Sequence, residues 1–378
     1  MTRSVRTGFL KAVTGSWPLL SIALALALLG VLTMHPFGGT ESLAPRQLIW
    51  ICVGVVVYLA CAVSDMHVLR RTGIVVAMYG AAFLLLIALL VLAHPVLGAK
   101  AWFDLGPFSF QPADFAKLAL IAFLAKYFSR RHQEIKHVRH LILSGIYAAI
   151  IIFPILVQPD MGTAVILSAV WFGMVLFSGI SKKHLVIVVT LGIVGAAGLW
   201  FFGLHEYQRT RIVAFLNPAA DIRGAGYNAY QAVVATGSGE LFGKGIGYGT
   251  QSKLRFLPEY ETDFIFAAFA EEWGFIGVTL LLLLYALLLA NLLTIARRSA
   301  TNFDALFTIG ITLLFFAHIF IHAGINLGLL PVTGTTIPFM SYGGSHVVME
   351  FAALGIIASL ARHGRAASRD MATQEFSG

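Results

Sequence analysis

Ten runs of mostly apolar residues, each near the length a helix needs to cross a bilayer, constrain this chain more than any other feature: 17–34, 46–63, 73–93, 113–128, 140–157, 164–180, 184–203, 264–296, 304–329 and 345–361. A helix spans the hydrocarbon core with about 20 such residues, because it satisfies its own backbone polar groups. The pattern predicts an all-α, polytopic integral membrane protein with about ten transmembrane helices. Only 12% of the residues are charged, against roughly 25% in a soluble domain, which suits a surface facing lipid. The fourth run is the least apolar, since it carries Asp114, Lys117 and Lys126. No soluble domain, heptad run or internal repeat is visible, so residues 1–378 are expected to form a single transmembrane domain.

Orientation follows from Lys and Arg in the short loops, which stay cytoplasmic. One set of loops and termini holds Arg3, Arg6, Lys11, Arg70, Arg71, Arg130, Arg131, Lys136, Arg139, Lys182, Lys183, Arg297, Arg298, Arg362, Arg365 and Arg369, sixteen in all. The opposite short loops hold only Arg46 and Lys100. This asymmetry predicts cytoplasmic termini and an even number of spans. It also explains the net charge of +8 as a topology signal, so no nucleic-acid partner is expected. Run 17–34 follows three basic residues as in a signal peptide, but no Ala-x-Ala site follows Met34 closely, and a first helix acting as signal anchor is expected. Cys52 and Cys61 are nine residues apart in one run, about 13 Å along a helix, too far for a disulfide.

Residues 204–262 form a long outside loop between helices 7 and 8. It is rich in glycine and aromatics and too polar for an ordinary span, although a short re-entrant piece around Tyr227–Ala235 fits. Long loops of this kind are usually functional or disordered. The absence of low-complexity sequence favours an ordered one.

Ionisable groups inside spans mark function by default. In Gln111-Pro112-Ala113-Asp114-Phe115-Ala116-Lys117, proline suits a first helical turn, and Asp114 and Lys117 share a face three residues apart. They form either a local ion pair or a carboxylate and an ammonium lining an outer cavity. In Gln158-Pro159-Asp160, Asp160 is a turn cap or a site acid. In Phe256–Phe264, Thr262 is placed to cap a helix and Asp263 to stand at its outer end. On such a helix Glu271 faces the same cavity as Asp263, about 12 Å deeper, and Glu272 faces away. The glycines from Gly237 to Gly249 suit either close approach to a ligand or ordinary turns. His318 and His322 have a spacing that can hold a metal, but with no third ligand on that helix, polar packing with Asn326 is expected.

The blocks FLPEYETDFIFAAFAEEWGFIG (256–277), FSFQPADFAKLAL (108–120), QPDMGTA (158–164) and PVTGTTIPFMSYGGS (331–345) resemble the signature blocks of the SEDS family (shape, elongation, division and sporulation), in the family's order. GKGIGYGTQSKLRFLPE (243–259) is similar to the rod-shape-determining branch more than to the division branch. The resemblance implies a multi-pass protein of the bacterial inner membrane. Its implied activity is peptidoglycan glycosyl transfer, polymerising lipid II into glycan strands for cell-wall elongation and cell shape. The implied partners are lipid II, the nascent glycan strand, a class B penicillin-binding protein that supplies transpeptidation, and other membrane proteins of the elongation complex. No cofactor is expected apart from a divalent cation, Mg or Mn.

By position in these blocks, Asp263 matches the family's essential aspartate and Lys117 its conserved lysine. The family's usual Ser-Glu is Ala113-Asp114 here, a carboxylate shortened by one methylene, and its usual arginine before Trp102 is Ala101. Asp263 is expected as the catalytic base for an inverting displacement, which needs one base and no covalent intermediate. Lys117, Asp114, Gln111, Asp160, Glu259 and Glu271 are expected to bind substrate. A lipid II flippase and a non-catalytic scaffold are the rival readings of the same residues.

Overall fold

The computed structural model of the chain describes residues 3–35, 43–92, 101–104, 106, 109–130, 138–204, 206–217 and 225–375. Lys100, Arg131 and Lys136, used above for topology, lie outside the described residues. The helices are α1 (Arg3–Met34), α2 (Ala44–Val63), α3 (Thr72–Leu92), α4 (Pro112–Arg130), α5 (Val138–Val157), α6 (Met161–Phe177), α7 (Lys182–Gly198), α8 (Glu206–Leu216), α9 (Ala225–Ser238), α10 (Thr250–Lys253), α11 (Ile265–Arg297), α12 (Asn302–Asn326) and α13 (Gly344–Glu375). Among the described residues the strands are a two-residue antiparallel pair, β1 (Phe103–Asp104) and β2 (Ser109–Phe110).

Every predicted span is a helix, α1 to α7 and α11 to α13. Seven of them are long and apolar enough to cross a membrane on length and composition alone. Helices α6 and α7 have 17 residues each, and α4 carries the charges noted above. Helix α4 sits inside the bundle: thirteen of its nineteen residues are buried. Its alanines at 113, 116, 119, 122 and 125 let neighbouring helices approach closely, as small residues do in membrane bundles. The outer helices are the reverse case, apolar yet exposed, with only 22% of the α3 window buried inside the protein. One buried core runs from Leu19 to Leu360.

Cross-links separate the two ends of the bundle. At one end Arg70 grips Asp304 through two hydrogen bonds of 3.1 and 2.5 Å. There too Lys126 donates to the Arg70 carbonyl, and Arg362 donates to the Val63 carbonyl at 2.8 Å. At the other end the Leu43 N–H donates to Glu261 at 3.2 Å, the Tyr342 N–H to the Glu261 carbonyl at 2.8 Å, and Gln111 to Asp160 at 3.4 Å. The basic loops around Arg70 and Arg362 thus share one end, and the predicted site residues gather at the other.

The long loop is ordered around a break in α11. Gly274 takes φ 64° and ψ −167°, a conformation side chains resist. The break frees helical backbone groups, and the loop satisfies them: Lys244 N–H to Glu271 carbonyl at 2.9 Å, Gly245 N–H to Glu272 carbonyl at 3.0 Å, and Phe275 N–H to Glu240 carbonyl at 2.8 Å. A Cβ on Gly243 would lie 2.1 Å from the Glu272 carbonyl oxygen, so the loop can dock this closely only as glycine. The glycine-rich stretch therefore serves the kink in α11, which resolves the choice between turn and ligand cradle. Helix α9 covers and extends the short piece expected around residues 227–235.

Candidate active site

Asp263 is held by a tight turn. Glu259 adopts φ 53°, and its carbonyl accepts the N–H groups of Thr262, Asp263 and Phe264 at 3.1, 3.1 and 3.2 Å. Helix α11 starts only at Ile265 and has no side-chain cap. Thr262, placed as the cap from sequence, instead donates its hydroxyl to the Glu259 carbonyl and carboxylate at 3.3 and 3.2 Å. Other elements clamp the turn from outside. Asn326 donates to the Asp263 carbonyl at 3.1 Å, and the Ser341 hydroxyl donates to the Thr262 carbonyl at 2.8 Å. The Asp263 backbone is fixed, as a reacting group requires.

The carboxylate of Asp263 lies beside Gly334, whose φ is 70° and whose missing Cβ would stand 3.5 Å from Oδ2. Burial pushes this carboxyl up to about 7, with Glu259 and Asp160 pushing the same way and Arg211 of α8 opposing them. A carboxylate near 7 is suited to accept a proton at neutral pH.

Asp160 carries both roles left open above. Its Oδ1 caps α6 by accepting the Thr163 N–H at 2.9 Å, and its Oδ2 accepts from the Gln111 amide. Burial raises its carboxyl, while Lys117 pulls it down. Within α4, the Lys117 ammonium donates to Asp114 Oδ1 at 3.0 Å. His346 of α13 faces the same oxygen at 3.3 Å.

Several buried polar atoms here have no hydrogen-bond partner: Asp114 Oδ2, Thr333 Oγ1, Thr335 Oγ1 and Nε2 of both His318 and His322. Buried polar groups are almost always satisfied, so these atoms between α4, α12 and residues 331–336 have hydrogen-bonding capacity left for water or a ligand. His318 and His322 are themselves oriented by the carbonyls of Thr336 and Thr335, at 2.9 and 2.7 Å. Asn326 joins the same packing, donating to the His322 carbonyl at 2.8 Å.

Glu271 does not join this site. Its Oε1 accepts from Lys244 Nζ at 2.6 Å, Thr250 N–H at 2.9 Å, Thr250 hydroxyl at 3.0 Å and Gln251 N–H at 3.2 Å. The helical extrapolation that set it in one cavity with Asp263 fails because residues 259–264 are a turn rather than helix. Glu259 lies next to Asp263 with its side chain tied to Thr262. His346, Glu350 and Arg211 are site neighbours that the sequence reading missed. The first two sit four apart inside the last span, where the rule for intramembrane ionisable groups already pointed. Arg211 gave no signal, since arginines in loops are common. Among the described residues no three His, Cys, Asp or Glu side chains are grouped to hold a metal.

Three comparisons place this chain beside known proteins. A family model for cell cycle proteins of the FtsW, RodA and SpoVE type matches residues 9–366. The chain is 35% identical over 359 residues to the peptidoglycan glycosyltransferase MrdB of Escherichia coli, covering 93% of this chain and 95% of that one. It is similar to the crystal structure of the Thermus thermophilus rod shape determining protein RodA, with TM-score 0.68 and 30% identity over 92% of this chain and 96% of that one. A chain from a peptidoglycan synthase complex, described as coordinating polymerization and crosslinking, is similar with TM-score 0.79 and 31% identity over 92% of this chain and 98% of that one.

Proposed function

This chain belongs to the SEDS family of FtsW, RodA and SpoVE cell cycle proteins, and from that premise we propose that Asp263 is the general base of its glycosyl transfer. The chain is a membrane protein and a peptidoglycan glycosyltransferase of the rod-shape-determining branch. Its donor is a polyprenyl diphosphate sugar, so the tail stays in lipid while the sugar reacts at the membrane surface. Asp263 takes the proton of the acceptor sugar hydroxyl as that oxygen attacks C1 of the donor. The bond from C1 to the diphosphate breaks on the opposite face, and the centre inverts. Charge develops on the departing diphosphate, where Lys117 stabilises it. Asp114 holds Lys117, and Gln111 and Asp160 line the path between Lys117 and Asp263. Glu259 shapes the turn.

The observation that carries this reading is the Asp263 carboxyl, pushed up to about 7 on a backbone clamped by Asn326 and Ser341. The basic loops gathered at the far end of the bundle support cytoplasmic termini in a bacterial inner membrane, with the site opening outward. A class B penicillin-binding protein is the partner that fits such a polymerase, alongside other elongation-complex membrane proteins. The test is purified chain with labelled lipid II and products sized on a gel. Glycan ladders reduced by about a hundredfold or more in Asp263→Asn support the reading. Ladders of parental yield from Asp263→Asn overturn it.

A further inference from the structure

We propose that His346 is the counter-cation that keeps the diphosphate end of the site from being net negative, a positioning residue acting through Asp114 and Lys117. This rests on the reading of Lys117 as the diphosphate ligand. His346 is buried on α13, with Nδ1 3.3 Å from Asp114 Oδ1 and Nε2 2.9 Å from Glu350 Oε1. Nδ1 is within hydrogen-bonding reach of Asp114, while Nε2 stands at ion-pair distance from Glu350 without hydrogen-bond alignment, and two buried carboxylates this close to one ring are balanced when both ring nitrogens carry a hydrogen. The ring is therefore an imidazolium between two acids.

The charges then alternate along a line: Lys117, Asp114, His346, Glu350. Two cations against two carboxylates sum to zero. The other groups packed here are the same in every variant compared below, so they do not alter the differences between them. His318 of α12 sets its ring 5.1 Å from that of His346 at a tilt of 44° and turns Nδ1 to the Thr336 carbonyl. Tyr285 of α11 donates its hydroxyl to the Pro338 carbonyl at 2.7 Å. Asp160 faces the cluster from the start of α6 but is bonded to Thr163 and Gln111. Glu350 is itself fixed, accepting the Phe339 N–H at 2.7 Å.

Removing the imidazolium charge leaves two carboxylates against one ammonium, and a net negative pocket repels a diphosphate. The shortened acid at position 114 fits this arrangement, because one Asp114 oxygen is shared between Lys117 and His346. Without His346, Asp114 would neutralise Lys117 alone, and Glu350 would add an unbalanced charge behind it.

Charge arithmetic supplies the test, read as KM and kcat for lipid II polymerisation. His346→Gln should raise KM on the order of tenfold with kcat within about threefold of the parent. Glu350→Gln should leave KM unchanged or lower it, since the pocket gains positive charge. The double variant His346→Gln with Glu350→Gln should return KM to within about threefold of the parent, because the sum is zero again. A merely structural histidine predicts the opposite, with the double variant at least as impaired as the single. A raised KM in the double variant, or in Glu350→Gln alone, overturns the proposal. If His346→Gln fails to fold because Glu350 is left buried without a cation, the other two variants carry the test. Lys117→Met is measured alongside. An unchanged KM there takes down the diphosphate reading itself. A raised KM there with the wrong pattern at His346 and Glu350 overturns only the counter-cation.

Discussion

Glu271 and the acids of the candidate site are all buried, and they differ in what their oxygens find. Glu271, fully buried beside the break in α11, gathers five hydrogen-bond donors on one oxygen and pins the loop 244–251 to the helix. Asp114 keeps one buried oxygen without a partner, and burial, with neighbouring acids adding to it, holds the Asp263 carboxyl up near 7. Both regions lie in signature blocks, and both place carboxylates out of water. A satisfied acid fixes structure, whereas an acid left with spare capacity or a raised affinity for protons is available for chemistry.

The sharpest break in this comparison is at Asp263. Asp263→Ala should lower kcat by about 10²–10⁴-fold, the usual contribution of a positioned base, with expression and membrane insertion unchanged. Glu271→Gln should do the reverse. It should lose about 1–3 kcal/mol of stability through weakened charge-assisted hydrogen bonds, seen as a lower Tm, while the folded fraction keeps parental kcat. Lys117→Met should raise KM for lipid II by on the order of ten- to a hundredfold, and a parental KM would reduce the lysine to a structural partner of Asp114.

The smallest effect sharpens the contrast from the stability side. Burial raises the Asp263 carboxyl to about 7 in the folded state, against roughly 3.9 in an unfolded chain. Ionising it therefore opposes folding increasingly as pH rises from about 4 to about 7. Asp263→Asn should melt slightly higher than the parent above pH about 7 and lose that advantage near pH about 4.

Seven of the ten predicted spans are long apolar helices, legible because a membrane imposes one strong pattern on sequence, length and apolarity together. Asp114 and Lys117 were legible for the same reason, as charges three residues apart in a segment that should hold none, and they meet at 3.0 Å. The turn at 259–264 was not. Its geometry comes from Glu259 at positive φ and from clamps by Asn326 and Ser341, residues 62 or more positions away in the chain. Periodicity carries no information about such distant partners, so Thr262 read as a cap and Glu271 as a neighbour of Asp263. The glycines from 239 to 247 pointed to close approach, but only the break at Gly274 reveals that the approaching group is the protein's own backbone. His346 and Glu350 were visible as letters, yet their meaning depends on α13 packing against α4.

The most direct test of Asp263 as the base is kcat for lipid II polymerisation followed from pH about 5 to about 9. Only the ionised carboxylate accepts the hydroxyl proton, so kcat should rise with pH and level off above about 7. Asp263→Asn should leave a weak residual rate without that limb. A parental kcat that is flat across this range, or a limb that persists in Asp263→Asn, would contradict the account.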